Sequence, residues 1–171
     1  MADLRTVERQ RFASIMAAFP SGVAIITTAG GDRRPKGLTT TAVCSVSADP
    51  PLLLVCIDRG SRTLPALIDA GRFVINFIRL EYEEVCRAFA SKVEDKFANL
   101  LWETTRSGMP LLRDHVVSWA ECATVQEIEA GDHIVLIGRV EDGDVTSDGE
   151  VAPLVYYRRA WGRWHPHEGE R

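Results

Sequence analysis

Between positions 36 and 57 the sequence reads KGLTTTAVCSVSADPPLLLVCI. Two stretches of strand-forming residues flank Asp49-Pro50-Pro51. Proline has no N–H for a sheet ladder, and it pushes the residue before it out of the helical region. The stretch therefore reads as two strands, about 36–47 and 52–57, and not as a helix. The second is a short continuous apolar run, which suits a strand buried on both faces. The first is the opposite. Thr39, Thr40 and Thr41 stand in a row, and Cys44, Ser45 and Ser47 follow. Neighbouring side chains on a strand point to opposite faces, so this row puts hydroxyls on both. An edge strand with a wet outer face accounts for it, since threonine is a good β-former. A wall of hydroxyls and small residues against which a flat, polar-edged ligand lies accounts for it as well.

The rest of the chain follows the same rhythm. Further strands are expected at 23–28, 73–78, 116–129, 134–140, 155–157 and 160–164. Gly30-Gly31-Asp32 and Gly131-Asp132 read as hairpin links. Helices are expected at 7–19, where Phe12, Ile15, Met16 and Phe19 recur at helical spacing, and at 64–70 and 81–90. For the 64–70 helix, Thr63 is the expected N-cap, Pro65 sits in the first turn and Gly71 closes the end. The segment 92–100 reads as the start of a further helical turn, 109–112 as a connector, and 141–150 as an acidic loop. Strands outnumber helices and come in hairpin succession. The expected class is mainly β with flanking helices, an antiparallel sheet closed into a Greek-key-like barrel.

The 171 residues, 46% of them apolar, suit one domain with a core of its own, with tails at about 1–10 and 165–171. A formal net charge of −4 and the lack of a long basic run argue against nucleic acid or an anionic membrane as a partner. The charged start, MADLRTVERQRF, has no apolar core of a secretory signal, and no apolar run approaches a membrane span. Cys44, Cys56, Cys86 and Cys122 are widely spaced with no CxxC, which reads as four reduced thiols in a cytoplasmic protein. No metal site is expected; His165 and His167 flank a proline in a polar tail.

Chemistry is concentrated in a few places. In DRGSRT (58–63), Ser61, Arg62 and Thr63 precede a helix. That is a seat for phosphate or simply a cap. In FASKVEDKF (89–97), Lys92 reads as a solvated helix residue or a second phosphate contact. His133 stands where a turn enters an apolar strand. In YYRRAWGRW (156–164), aromatics alternate with arginines, as in a terminal strand or a site that stacks a ring. There is no G-x-G-x-x-G after a strand and no nucleophile–His pairing, so a Rossmann site and hydrolase chemistry are not expected.

Taken in order, the pieces FPSGVAIITT (19–28), GLTTTAVCSVSADPPLLLVCIDRGSRT (37–63), GRFVINFI (71–78), FASKVEDKF (89–97), GMPLL (108–112), GDHIVLIGRV (131–140) and PLVYYRRAW (153–161) resemble the flavin reductase-like family. The resemblance is to the small reductase components of two-component aromatic monooxygenases. It implies a split β-barrel homodimer that reduces FMN or FAD with NADH or NADPH and passes reduced flavin to a separate monooxygenase. Carried over position by position, it implies that Thr39, Thr40, Thr41, Ala42, Cys44 and Ser45 line the isoalloxazine. Cys56 and Asp58 lie beside the ribityl chain and ring. Ser61, Arg62 and Thr63, with Phe89 and Lys92, hold the phosphate end. His133 is the implied catalytic residue, over the flavin face where nicotinamide docks, and Tyr157 and Arg159 border the nicotinamide cofactor. Position 41 departs from the family pattern, in which Asn is frequent. Two other classes use related barrels: a flavin-binding protein without reductase turnover, and a flavin-retaining oxidase of the pyridoxamine-phosphate type.

Overall fold

The structure, a computed structural model, describes residues 6–146 and 151–165. The outermost parts of the expected tails, His167 among them, and the end of the expected acidic loop lie outside the described residues. Among the described residues the chain runs α1 (Arg9–Ala17), β1 (Ser21–Gly22), β2 (Ala24–Ala29), β3 (Pro35–Thr40), β4 (Val43–Ala48), β5 (Pro51–Asp58), α2 (Leu64–Ala70) and β6 (Arg72–Ile78). It continues with α3 (Glu83–Ala90), β7 (Glu103–Thr104), β8 (Pro110–Leu111), β9 (Val116–Ala130), β10 (His133–Val145), β11 (Leu154–Tyr157) and β12 (Ala160–Arg163).

Seven strands form one antiparallel sheet in the order β3-β2-β6-β9-β10-β5-β4. The expected single strand 36–47 is in fact two, and they are the opposite edges of this sheet. Only Thr41 and Ala42 join them. The bend comes from a side chain: Thr40 Oγ1 accepts a hydrogen bond from the Ala42 N–H at 3.0 Å, which turns the chain out of the ladder. A two-residue link cannot reach across a flat seven-stranded sheet, whose edges stand nearly 30 Å apart (about 4.8 Å per strand). The sheet therefore rolls round on itself.

The core agrees. Ala24 and Ile26, Phe73 and Ile75, Ala120 and Cys122, Leu136, and Val55 and Ile57 come from five successive strands and form one buried cluster, with Leu67 of α2. In a flat sheet β2 and β5 would be roughly 19 Å apart. A second cluster lies on the other face. Val23, Ile25, Val74 and Ile78 meet Phe89 of α3, Phe97, Leu111 and Leu112 there. β2 and β6 are thus buried on both faces. Burying each large apolar side chain contributes about 1.5–3 kcal/mol.

Three further expectations are corrected. Residues 92–100 form no helix; side-chain bonds to main-chain carbonyls, described below, hold that segment in an irregular path. Residues 109–112 are more than a connector. Pro110–Leu111 is a buried strand, because Asn76 Oδ1 accepts from the Leu112 N–H (2.9 Å) and Thr27 Oγ1 donates to the Pro110 carbonyl (2.5 Å). The acidic stretch begins as strand, since β10 stays paired with β9 as far as Val145. The hairpin between them turns on Gly131, whose φ of +61° glycine adopts at no steric cost.

α1 forms as expected but buries none of its residues. Phe12 is 58% and Ile15 55% exposed, because neither core cluster of the described residues takes in the apolar stripe. No helix among the described residues is long and apolar enough to cross a membrane.

Candidate functional site

Two cavities adjoin along β5. The first, about 630 Å³, is bounded by Leu38 and Thr39 of β3, by Asp58 to Thr63, and by Phe89 to Lys92 with Lys96. The second, about 520 Å³, is bounded by Thr41, Ala42 and Cys44, by Leu54 and Cys56, and by residues of α1 with Tyr156 and Arg159. Cys56 faces one and Asp58 the other; two residues along a strand is about 7 Å. Together they make a trough on the line where the two sheet edges are joined.

Most residues singled out from the sequence meet here, though several do other work. Thr39 Oγ1 donates to the Cys86 carbonyl at 2.7 Å and fastens β3 to α3. Thr40 makes the bend between β3 and β4. Thr63 stands at the N-cap position but gives no side-chain cap. Its buried hydroxyl donates instead to the Gly37 carbonyl at 3.0 Å, while Ser61 Oγ accepts from the Thr63 N–H at 3.2 Å. The Asp58 carboxylate accepts from the Gly60 N–H at 2.6 Å and shapes the same loop.

The cationic end is built by two side chains. The Arg62 guanidinium donates to the carbonyls of Lys92 and Val93 and so ties the 58–63 loop to the segment after α3. Lys96 donates from Nζ to the carbonyls of Phe89 (2.6 Å) and Gly37 (3.1 Å). Burial, and then the Arg62 charge, hold the Lys96 ammonium below the usual lysine range. Lys96 was not among the residues singled out; its signal was there in the Lys92/Lys96 spacing, but only the irregular path turns it inward. None of Arg62, Lys92 and Lys96 has a carboxylate partner among the described residues.

His133 lies outside both cavities but beside them. It pairs with Asp58 across the β5–β10 ladder, so both side chains leave the sheet on one face. Its Nδ1 is 2.8 Å from Asp132 Oδ1, a bond that holds the Asp132 carboxyl below the usual carboxylate range. Ser45 and Tyr157 also line neither cavity. Tyr157 is stacked under Arg158, with 5.3 Å from the guanidinium carbon to the ring centre, and its neighbour Tyr156 faces the cavity. Burial pushes the Cys56 thiol up, away from the thiolate form.

A trough with small, hydroxyl-bearing walls and unpaired cations at one end suits a flat ligand that carries phosphate. Comparison with known proteins points the same way. A family model described as a flavin reductase like domain matches residues 16–165. An NADH flavin reductase of Kitasatospora aureofaciens is 43% identical over 96% of this chain and 86% of its own length. The reductase component of a flavin-dependent trigonelline monooxygenase from Acinetobacter baylyi is 39% identical over 94% of this chain, which spans only 51% of that relative. The crystal structure of nitrilotriacetate monooxygenase component B from Mycobacterium thermoresistibile superposes with a TM-score of 0.89 at 29% identity, over 95% of this chain and 90% of the other. The chain belongs to the flavin reductase like domain family.

Proposed function

We propose that this chain is an NAD(P)H-dependent flavin reductase that reduces FMN or FAD and supplies the reduced flavin to a separate monooxygenase component. The carrying observation is the trough along β5, with its hydroxyl wall and a cationic end that has no carboxylate partner. The names of the relatives support the reading. So does size, since about 630 Å³ lies within the range of cofactor sites. On this reading one domain, a split barrel of Greek-key type whose seam lies at Thr41–Ala42, works in the cytoplasm.

The cofactor pair supplies the redox chemistry, a hydride passing from the nicotinamide to the flavin. The chain's part is to bind and orient. Ser61, Arg62 and Lys92 hold the phosphate, with Lys96 behind them. Thr63 and Phe89 position that end, Thr63 by fixing the loop to β3. Thr39, Thr41, Ala42 and Cys44 with Cys56 form the wall for the ring, and Asp58 borders the ribityl chain. Thr40 and Ser45 act through the bend and the edge strand. His133, with Tyr157 and Arg159, orients the nicotinamide. Proximity and alignment carry the rate, and no side chain needs to act as a base.

A second copy of the chain covers the apolar stripe of α1, where Phe12, Ile15, Met16 and Phe19 stay exposed among the described residues. Sedimentation reads that mass directly, and a monomer at micromolar concentration would rule the dimer out. The central test mixes purified protein with NADH or NADPH and FMN or FAD and follows nicotinamide absorbance. Flavin-dependent loss is expected; none with any of the four pairs would overturn the assignment.

A further inference from the structure

Past the cationic end of the trough a third cavity, about 210 Å³, opens between β3 and the segment after α3. It shares Arg62, Thr63 and Lys96 with the first cavity and adds Lys36 and Gly37 on one side and Glu94 on the other. Arg62 and Lys96 therefore stand on the divide between two cavities. They are close enough for the Arg62 charge to act on a partly buried ammonium. Arg62 is exposed and Lys96 half-buried, so the repulsion falls on the Lys96 ammonium, and an anion between or beside the two relieves it.

Among the described residues no carboxylate pairs with them, although Asp58 lines the first cavity and Glu94 the third. No ion pair of Lys36, Arg62, Lys92 or Lys96 exists among the described residues, and Glu94 makes none with them either. The net charge is −4, so four unpaired cations around two adjoining cavities are no sample of a generally basic surface. One phosphate in the first cavity meets Arg62 and Lys92. It leaves Lys36 unanswered on the far side of the divide. An anion with two linked phosphates meets both.

We propose that the third cavity holds the distal phosphate of FAD, so that this chain prefers FAD to FMN, with Lys36 the specificity-determining residue and Arg62 and Lys96 shared between the two phosphates. The proposal rests on the flavin reductase reading and names its flavin. A cavity of about 210 Å³ takes the phosphate, and the adenosine continues over the edge strand β3. NADH carries a diphosphate too, so the test leaves nicotinamide out.

FAD and FMN are titrated separately into the whole chain, and binding is read from flavin fluorescence at low and at physiological salt. The wild type is expected to bind FAD at least about tenfold more tightly than FMN, the size of one charge-assisted contact. Lys36→Gln should lower that FMN-to-FAD ratio of Kd values about tenfold, and Lys36→Arg should restore it. ADP should compete with FAD in the wild type and more weakly in Lys36→Gln. A wild-type ratio near one overturns the proposal, and so does a Lys36→Gln ratio equal to the wild type's. If Lys36→Gln loses both flavins equally while Lys36→Arg keeps both, Lys36 serves a shared phosphate and the proposal fails. If the wild type binds neither flavin, the reductase reading fails first and takes this one with it.

Discussion

A Cβ placed on Gly37 would lie 2.6 Å from Cε1 of Phe89, with the Ile26 carbonyl at 3.0 Å beyond it. Gly37 is glycine because the rim of the Phe89 ring comes up against β3 at that point. The ring is 1% exposed and wedged against Phe97, so it has nowhere to retreat. Gly37→Ala is expected to destabilise the fold by about 1–3 kcal/mol. It should also weaken flavin binding, since the Gly37 carbonyl holds both Thr63 and Lys96. Urea unfolding and a flavin titration measure the two effects; wild-type stability would show that Phe89 has room to move.

Arg62 separates phosphate binding from loop order. Its guanidinium spends donors on the carbonyls of Lys92 and Val93 and keeps others for a ligand. Arg62→Gln should raise the Kd for FMN about tenfold or more, the loss of one charge-assisted contact. Riboflavin has no phosphate, so its affinity should change far less. Equal weakening for the two would mean that Arg62 only orders the loop.

How far the sequence went is clearest in 36–57. The Pro50-Pro51 break and the strand after it were legible, because proline and unbroken apolarity act locally. The expected burial on both faces is not seen, since Val55 and Ile57 enter the core while Leu54 and Cys56 line a cavity. The second break, at Thr41–Ala42, was not legible. It carries no Gly or Pro, and a Thr40 hydroxyl makes it. That bend is also what splits the strand into the two sheet edges, so the topology was hidden with it. Residues 92–100 failed for a related reason. Their helical spacing is real, but Arg62 from thirty residues away takes the Lys92 carbonyl. The proposed flavin wall and phosphate loop were read from the order of their motifs. Lys36 and Lys96 were missed because their convergence is tertiary.

His133 shares a face with Asp58 and is held by Asp132, outside the two cavities. His133→Ala should leave flavin affinity near the wild-type value. It should slow flavin reduction by NADH about ten- to a hundredfold, through lost alignment. Stopped-flow reduction with increasing NADH separates affinity from rate. An unchanged rate at an unchanged NADH affinity would remove His133 from the site.

His115 gives the fold a pH dependence. It is 8% exposed, its ring tilted against Tyr82 with the ring centres 4.4 Å apart, and its Nδ1 has no hydrogen-bond partner among the described residues. Burial lowers its pKa below 6.5, and Arg79 acts in the same direction. Asp114 and the Leu112 backbone oppose them without winning. A histidine with a depressed folded pKa is bound by more protons when unfolded. Its contribution is therefore complete above about pH 6.5 and is lost as the pH falls from there towards the folded pKa. The slope is at most about 1.4 kcal/mol per pH unit. The Asp132 and Glu141 carboxyls are shifted down, so their contributions stay in place through this window and go only in stronger acid. Urea midpoints between pH 7.5 and 5 should fall in the wild type and stay nearly level in His115→Gln, which carries no proton to gain. Parallel curves for the two proteins would place the acid sensitivity elsewhere.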